Sequence, residues 1–228
     1  MNTLKAPDLT TPKSCCYPNE DQRIIDDFHN LYRMRKDSTW MDTNWMGVRV
    51  FKCPLDAWVY QEMMWELKPD VIIECGTCLG GSALFLATLC DMMNKGRVVT
   101  IDIDPSDGKP THPRITYLQG SSTSPQIVSK VRSSIQPSDT VLVILDSDHS
   151  REHVLNELRA YSPLVPVGSY VIVEDTNVNG HPWNPDFGPG PWEAVEDFLK
   201  ETSDFVIDES REKFMMTFNP RGYLKRVK

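Results

Sequence analysis

The chain has 228 residues, 40% of them hydrophobic and 25% charged, with only 12 Gly and 17 Pro, which excludes a disordered, collagen-like or disulfide-stapled organisation. That length suits one domain with a full core. With Lys+Arg 24 against Asp+Glu 32 the formal charge is −8, which repels phosphate backbones and argues against nucleic acid as a partner.

Residues 1–20, rich in Thr, Pro and Ser, are expected to form a flexible arm. They contain no signal-peptide core, and no run reaches the roughly 18 to 20 apolar residues of a membrane span, so a cytoplasmic location with reduced thiols is expected. Cys75-x-x-Cys78 lacks a second pair or nearby His partners, so it does not read as a zinc site. Residues 21–69 form a helical region. Ile24, Ile25, Phe28, Leu31 and Tyr32 make an apolar stripe on a helix over 21–35, an extended stretch follows over 43–53, and Pro54 opens a second helix that Lys68-Pro69 stops.

From residue 70 to the end, short β-branched runs alternate with amphipathic stretches, the pattern of a mostly parallel α/β sheet with helices on both faces. Strands are expected at 71–74, 97–103, 115–118, 140–145 and 169–174. Helices are expected at 81–93, 125–135, 151–161 and 191–200. Two last strands, 205–208 and 213–218, predict a terminal antiparallel hairpin.

Ligands of open α/β sheets sit at the carboxyl ends of the strands. The first end reads Glu74-Cys75-Gly76-Thr77-Cys78-Leu79-Gly80-Gly81-Ser82, a glycine turn open to close approach by a ligand. The next strand ends in Asp102, placed to accept ribose hydroxyl protons. The turn is not G-x-G-x-x-G, and a carboxylate at Glu74 disfavours pyrophosphate, so a nicotinamide dinucleotide is the weaker choice. A cofactor with one nucleoside and a cationic tail, such as S-adenosylmethionine, fits better. Glu74 would then meet its ammonium, the glycines its backbone-like portion and Asp102 its ribose.

Two further strand ends carry Asp146-Ser147-Asp148-His149 and Glu174-Asp175. If these strands are neighbours, their carboxylates converge and call for a cation. Oxygen-only ligands favour a hard divalent ion, Mg²⁺ first with Mn²⁺ or Ca²⁺ as substitutes. His149, three residues beyond Asp146, is placed to take a proton from an acidified acceptor hydroxyl. His29 and His153 read as surface helix residues. The long stretch 177–190 reads as a lid or acceptor wall, with Trp183 and Phe187 as stacking surfaces and His181 as a polar contact.

In these motifs the sequence resembles the cephalosporin hydroxylase/rhamnosyl O-methyltransferase family, related to macrolide-sugar O-methyltransferases. The resemblance runs from about Trp45. It rests on Glu74-x-Gly76-Thr77-x-x-Gly80-Gly81-Ser82, on Ile144 to Ser150, on Val173-Glu174-Asp175-Thr176-Asn177-x-Asn179-Gly180, and on Phe218-Asn219-Pro220-Arg221-Gly222-Tyr223-Leu224. It implies a Rossmann-like class I methyltransferase sheet, S-adenosylmethionine, Mg²⁺ on Asp146, Glu174 and Asp175, His149 as base, and a homo-oligomer. The cofactor-binding set on this reading is Glu74, Gly76, Thr77, Gly80, Gly81, Ser82, Asp102, Ser121 and Asp146. The expected function is Mg²⁺-dependent O-methylation of a sugar, glycolipid or glycosylated natural product. The alternative is a cofactor-binding partner subunit of a hydroxylase or other tailoring enzyme.

Overall fold

The computed structural model describes residues 19–35 and 39–228, so most of the expected arm lies outside the described residues. The elements run α1 (Asn19–Met34), β1 (Asn44–Trp45), β2 (Val48–Arg49), α2 (Pro54–Leu67), β3 (Val71–Cys75), α3 (Gly81–Met92), β4 (Arg97–Asp102), β5 (Ile115–Gln119) and α4 (Pro125–Ser133). They continue with β6 (Val141–Leu145), α5 (Arg151–Tyr161), β7 (Tyr170–Val173), α6 (Pro191–Glu201), β8 (Phe205–Ile207) and β9 (Tyr223–Arg226). Seven strands form one sheet in the order β5-β4-β3-β6-β7-β9-β8, the first five parallel and β9 antiparallel to both of its neighbours.

The central strands β6 and β7 are apolar at every position, and β3 at all but Glu74, because both faces of the sheet are covered there. Val71, Ile73, Val99, Val143 and Val171 point towards α4, α5 and α6, while Ile72, Val98, Leu142, Ile144 and Ile172 point towards α2 and α3. The order reverses between β3 and β6, and the cleft opens there, outside the carboxyl ends of the strands.

Two expectations need correction. Residues 213–218 are not a strand. The antiparallel partner of β8 is β9, reached through a short 3₁₀ turn (Glu209–Glu212) and a loop. The loop cannot pair because its polar groups are claimed elsewhere: Asp56 of α2 accepts from the Thr217 hydroxyl at 2.5 Å and from the Phe218 N–H at 2.8 Å. The apolar stripe of α1 meets the core only along one edge. Tyr32 packs on Phe218 and Ile25 is half-buried, but Ile24, Phe28 and Leu31 are 61%, 51% and 58% exposed, and the buried face carries His29 and Arg33. Ionic and hydrogen-bond partners for those two residues outweigh the stripe.

Candidate functional site

The strand end of β3 and the start of α3 are shaped by backbone against backbone. A Cβ on Gly76, whose φ is +94°, would lie 1.9 Å from the Asp146 carbonyl oxygen, and one on Gly81 would lie 2.0 Å from the Arg49 carbonyl oxygen. These glycines therefore serve the packing of the protein on itself before they serve any ligand. Asp102, at the end of β4, holds the turn: Oδ2 accepts from the Thr77 and Cys78 N–H groups at 2.9 and 2.7 Å, and Oδ1 accepts from Asp104 N–H at 3.0 Å. It lines a small recess with Ser106, Lys109 and Tyr117 that shares Thr77 with the main cleft.

Glu74 is fully buried. Its Oε2 accepts from the Thr100 hydroxyl at 2.6 Å, and Oε1 has no hydrogen-bond partner among the described residues. Burial raises its pKa, opposed by the Lys52 charge. Ser82 and Thr77 line the main cleft, whereas Ser121 bonds Thr123 at 3.0 Å after β5 and does not. Cys75 is buried and Cys78 is exposed at φ +49°.

β6 and β7 pair directly, Leu145 opposite Val173, so Asp146 and Glu174-Asp175 emerge side by side as expected. Two cations that the sequence reading did not single out meet them. Lys52 Nζ, fully buried behind β2, donates to Asp146 Oδ2 at 2.7 Å and Glu174 Oε1 at 2.5 Å. Tyr60 of α2 also donates to Glu174 Oε1, at 2.8 Å, and Asn219 donates to the Tyr60 oxygen. Arg33 of α1 donates to Asp175 Oδ1 at 2.5 Å, with its guanidinium over Phe218 and Trp40. Its Nε is buried without a partner among the described residues.

Each carboxylate thus gives one oxygen to a cation. Among the described residues nothing hydrogen-bonds to Asp146 Oδ1 or Glu174 Oε2, and Asp175 Oδ2 faces His149 Nε2 at 3.4 Å. Asp146, His149 and Asp175 offer donor atoms within 4.8 Å of one another, with Glu174 outside that group. Burial first, then the Asp146 charge, pushes the Glu174 carboxyl up to about 8. Burial also disfavours charge on Asp175, but His149 and Arg33 prevail and hold its pKa below the ordinary value. Burial alone would lower the Lys52 pKa; its carboxylate neighbours raise it instead.

Trp183 and Phe187 line the same cleft, of about 480 Å³, together with Arg33, Trp40, Asp146, His149 and Asp175. His181 does not join them. Its ring stacks on Trp192 at 4.0 Å and its Nε2 meets Glu193 Oε1 at 3.1 Å, because the loop turns it back onto α6. His29 is buried rather than on the surface. Its Nε2 lies 2.7 Å from Asn177 Nδ2, and burial, then the Arg33 charge, lowers its pKa to about 4. His153 is partly buried as well, at 3.1 Å from Ser122 Oγ and 3.4 Å from Glu157.

The missed residues left weak traces. Lys52 is the lone charge in Val50-Phe51-Lys52-Cys53-Pro54, and His29 and Arg33 stand four apart on the face of α1 opposite its stripe.

A seven-stranded sheet with this strand order, a glycine turn after its central strand and an acid ending the next is the architecture of class I methyltransferases. The family model for rhamnosyl O-methyltransferase/CmcI matches residues 37–227. The rhamnosyl O-methyltransferase of Mycobacterium leprae (strain TN) is 40% identical over 211 residues, covering 89% of this chain and 90% of the relative. That of Mycobacterium tuberculosis (strain ATCC 25618 / H37Rv) is 38% identical over 212 residues, covering 89% and 85%. Among solved structures, an apo CmcI superposes with a TM-score of 0.66 at 24% identity, covering 98% of this chain and 90% of that one. A CmcI with Mg and SAM superposes at 0.64 and 23%, with the same coverage. These two likenesses concern the fold. The chain belongs to the rhamnosyl O-methyltransferase/CmcI family.

Proposed function

We propose that this O-methyltransferase moves the methyl group of S-adenosylmethionine onto a hydroxyl of a sugar, glycolipid or glycosylated small molecule. A hard divalent ion, Mg²⁺ ahead of Mn²⁺ or Ca²⁺, would be held by Asp146, Glu174 and Asp175, of which Asp146 and Asp175 offer oxygens within 4.8 Å of each other. The observation that carries the reading is this convergence of three half-used carboxylates on two adjoining strand ends, with His149 Nε2 3.4 Å from Asp175 Oδ2.

The residues fit both groups. Oxygen donors alone suit Mg²⁺, and the unpartnered buried Glu74 Oε1 is an acceptor suited to the cofactor's ammonium. When bound, the ion supplies Lewis acidity that makes the acceptor hydroxyl easier to deprotonate. His149 takes the hydroxyl proton at Nε2, and the Asp175 carboxylate stabilises the imidazolium that results. Trp183 and Phe187 offer apolar faces to a sugar ring, and Arg33 Nε is a donor for one of its oxygens. Together they fix the acceptor for in-line attack on the methyl carbon, and adenosylhomocysteine leaves. The relatives named above are rhamnosyl enzymes, which makes a rhamnoside the first acceptor to try.

We also infer a cytoplasmic homo-oligomer, an assembly that the exposed Ile24, Phe28 and Leu31 on α1 would support. Among the described residues no helix is long and apolar enough to cross a membrane.

Mass spectrometry of a rhamnoside panel incubated with the purified protein and S-adenosylmethionine tests the reading. One added methyl with stoichiometric adenosylhomocysteine is the expected result. Cofactor binding with no methylated product across the panel would favour a partner subunit instead.

A further inference from the structure

Lys52 is a buried charge behind the acidic side of the cleft: its side chain is 4% exposed, and its ammonium touches two carboxylates that follow different strands. It comes from the segment after β2, outside the seven-stranded sheet, so the fold of the sheet does not require it there. What it does locally is divide oxygens. Asp146 keeps Oδ1 and gives up Oδ2; Glu174 keeps Oε2 and gives up Oε1, which Tyr60 also claims.

A carboxylate with one oxygen bound to an ammonium can offer a metal ion only the other. That restriction has different consequences for the two common hard cations. Mg²⁺ takes six ligands in a tight octahedron and uses carboxylates through single oxygens. Ca²⁺ takes six to eight at longer distances and gains from carboxylates that chelate through both.

We propose that Lys52 is a positioning residue that sets metal selectivity: by holding one oxygen each of Asp146 and Glu174, it forbids bidentate ligation and favours a small octahedral ion over Ca²⁺. The inference rests on the reading of a divalent ion at Asp146, Glu174 and Asp175. Lys52 stays in place when the ion binds, as a permanent counter-charge of the centre.

Calorimetry of Mg²⁺ and Ca²⁺ binding to the full chain, wild type and Lys52→Met, reads the effect without any turnover. Loss of the ammonium tightens both ions, and the Ca²⁺-to-Mg²⁺ ratio of dissociation constants falls at least tenfold. An unchanged ratio, with both ions shifted equally, overturns the proposal while leaving the metal reading intact. No binding of either ion to the wild type brings down the metal reading itself, and the proposal with it. Should Lys52→Met not fold, a wild-type crystal soaked in Mn²⁺ decides. Single-oxygen ligation by both carboxylates with Lys52 still on Asp146 and Glu174 is expected; a chelating Glu174 or a withdrawn Lys52 contradicts the assignment.

Discussion

After β3 the glycine turn is held by main chain. Gly76 lies against the Asp146 carbonyl, Gly81 against that of Arg49, and Asp102 gathers three N–H groups of its own neighbourhood. After β6 and β7 the acids are held by long side chains arriving from elsewhere, Lys52 from beyond β2 and Arg33 from α1. The first region is rigid by steric exclusion and tolerates no added atom. The second is set by charge, so it responds to whatever cation is present. On the proposed function, the cleft therefore joins a fixed cofactor end to an adjustable metal end.

The largest expected effect falls on the adjustable end. Asp146→Asn keeps the shape but removes the charge that faces Lys52 and, on the proposed function, the ion; kcat is then expected to fall by about 10³-fold while calorimetric S-adenosylmethionine binding persists. Full activity in this variant would break the contrast between the two ends. His149→Ala removes the proposed base but not the carboxylates. Its kcat drops by roughly 10²-fold or more with KM for the acceptor little changed, and the loss eases at high pH where hydroxide replaces the imidazole.

At the fixed end the cost appears in stability. Gly76→Ala forces a Cβ onto the Asp146 carbonyl at φ +94°, and denaturant unfolding shows a loss on the order of 3 kcal/mol. A variant as stable as the wild type would mean that the turn can give way.

The smallest effect sharpens the comparison from outside the cleft. Burial pushes the Glu212 carboxyl up to about 7, above its ordinary value, so folding favours its protonated form. The stability it contributes is complete below the unfolded pKa and is lost as pH rises through 7. Glu212→Gln removes that dependence, so melting temperatures of the two proteins diverge between pH 5 and 8 in favour of the variant.

Much of the fold was legible because the central parallel strands are largely apolar and their ends announce themselves: Glu74, Asp102, Asp146 and Glu174-Asp175 each come at or just after the end of such a run. Their convergence followed from β6 and β7 being neighbours. The apolar content of 213–218 was misleading, since Asp56 captures that loop's donors and only 223–226 reach the sheet. The counter-charges were hidden for a different reason. Lys52 lies 94 residues from Asp146 and Arg33 lies 142 from Asp175, and no local periodicity encodes a contact at that separation. On α1 most of the hydrophobic stripe, Ile24, Phe28 and Leu31, turned outwards because two polar residues with buried partners outweighed it. His181 was read by its position in the acceptor loop, whereas stacking on Trp192 fixes its direction.

The most direct test is methyl transfer to a rhamnoside acceptor from labelled S-adenosylmethionine, before and after exhaustive removal of divalent ions. Transfer that stops on chelation and returns with added Mg²⁺ is the predicted result. Undiminished turnover in the metal-stripped protein would contradict the assignment of Asp146, Glu174 and Asp175 to a divalent ion.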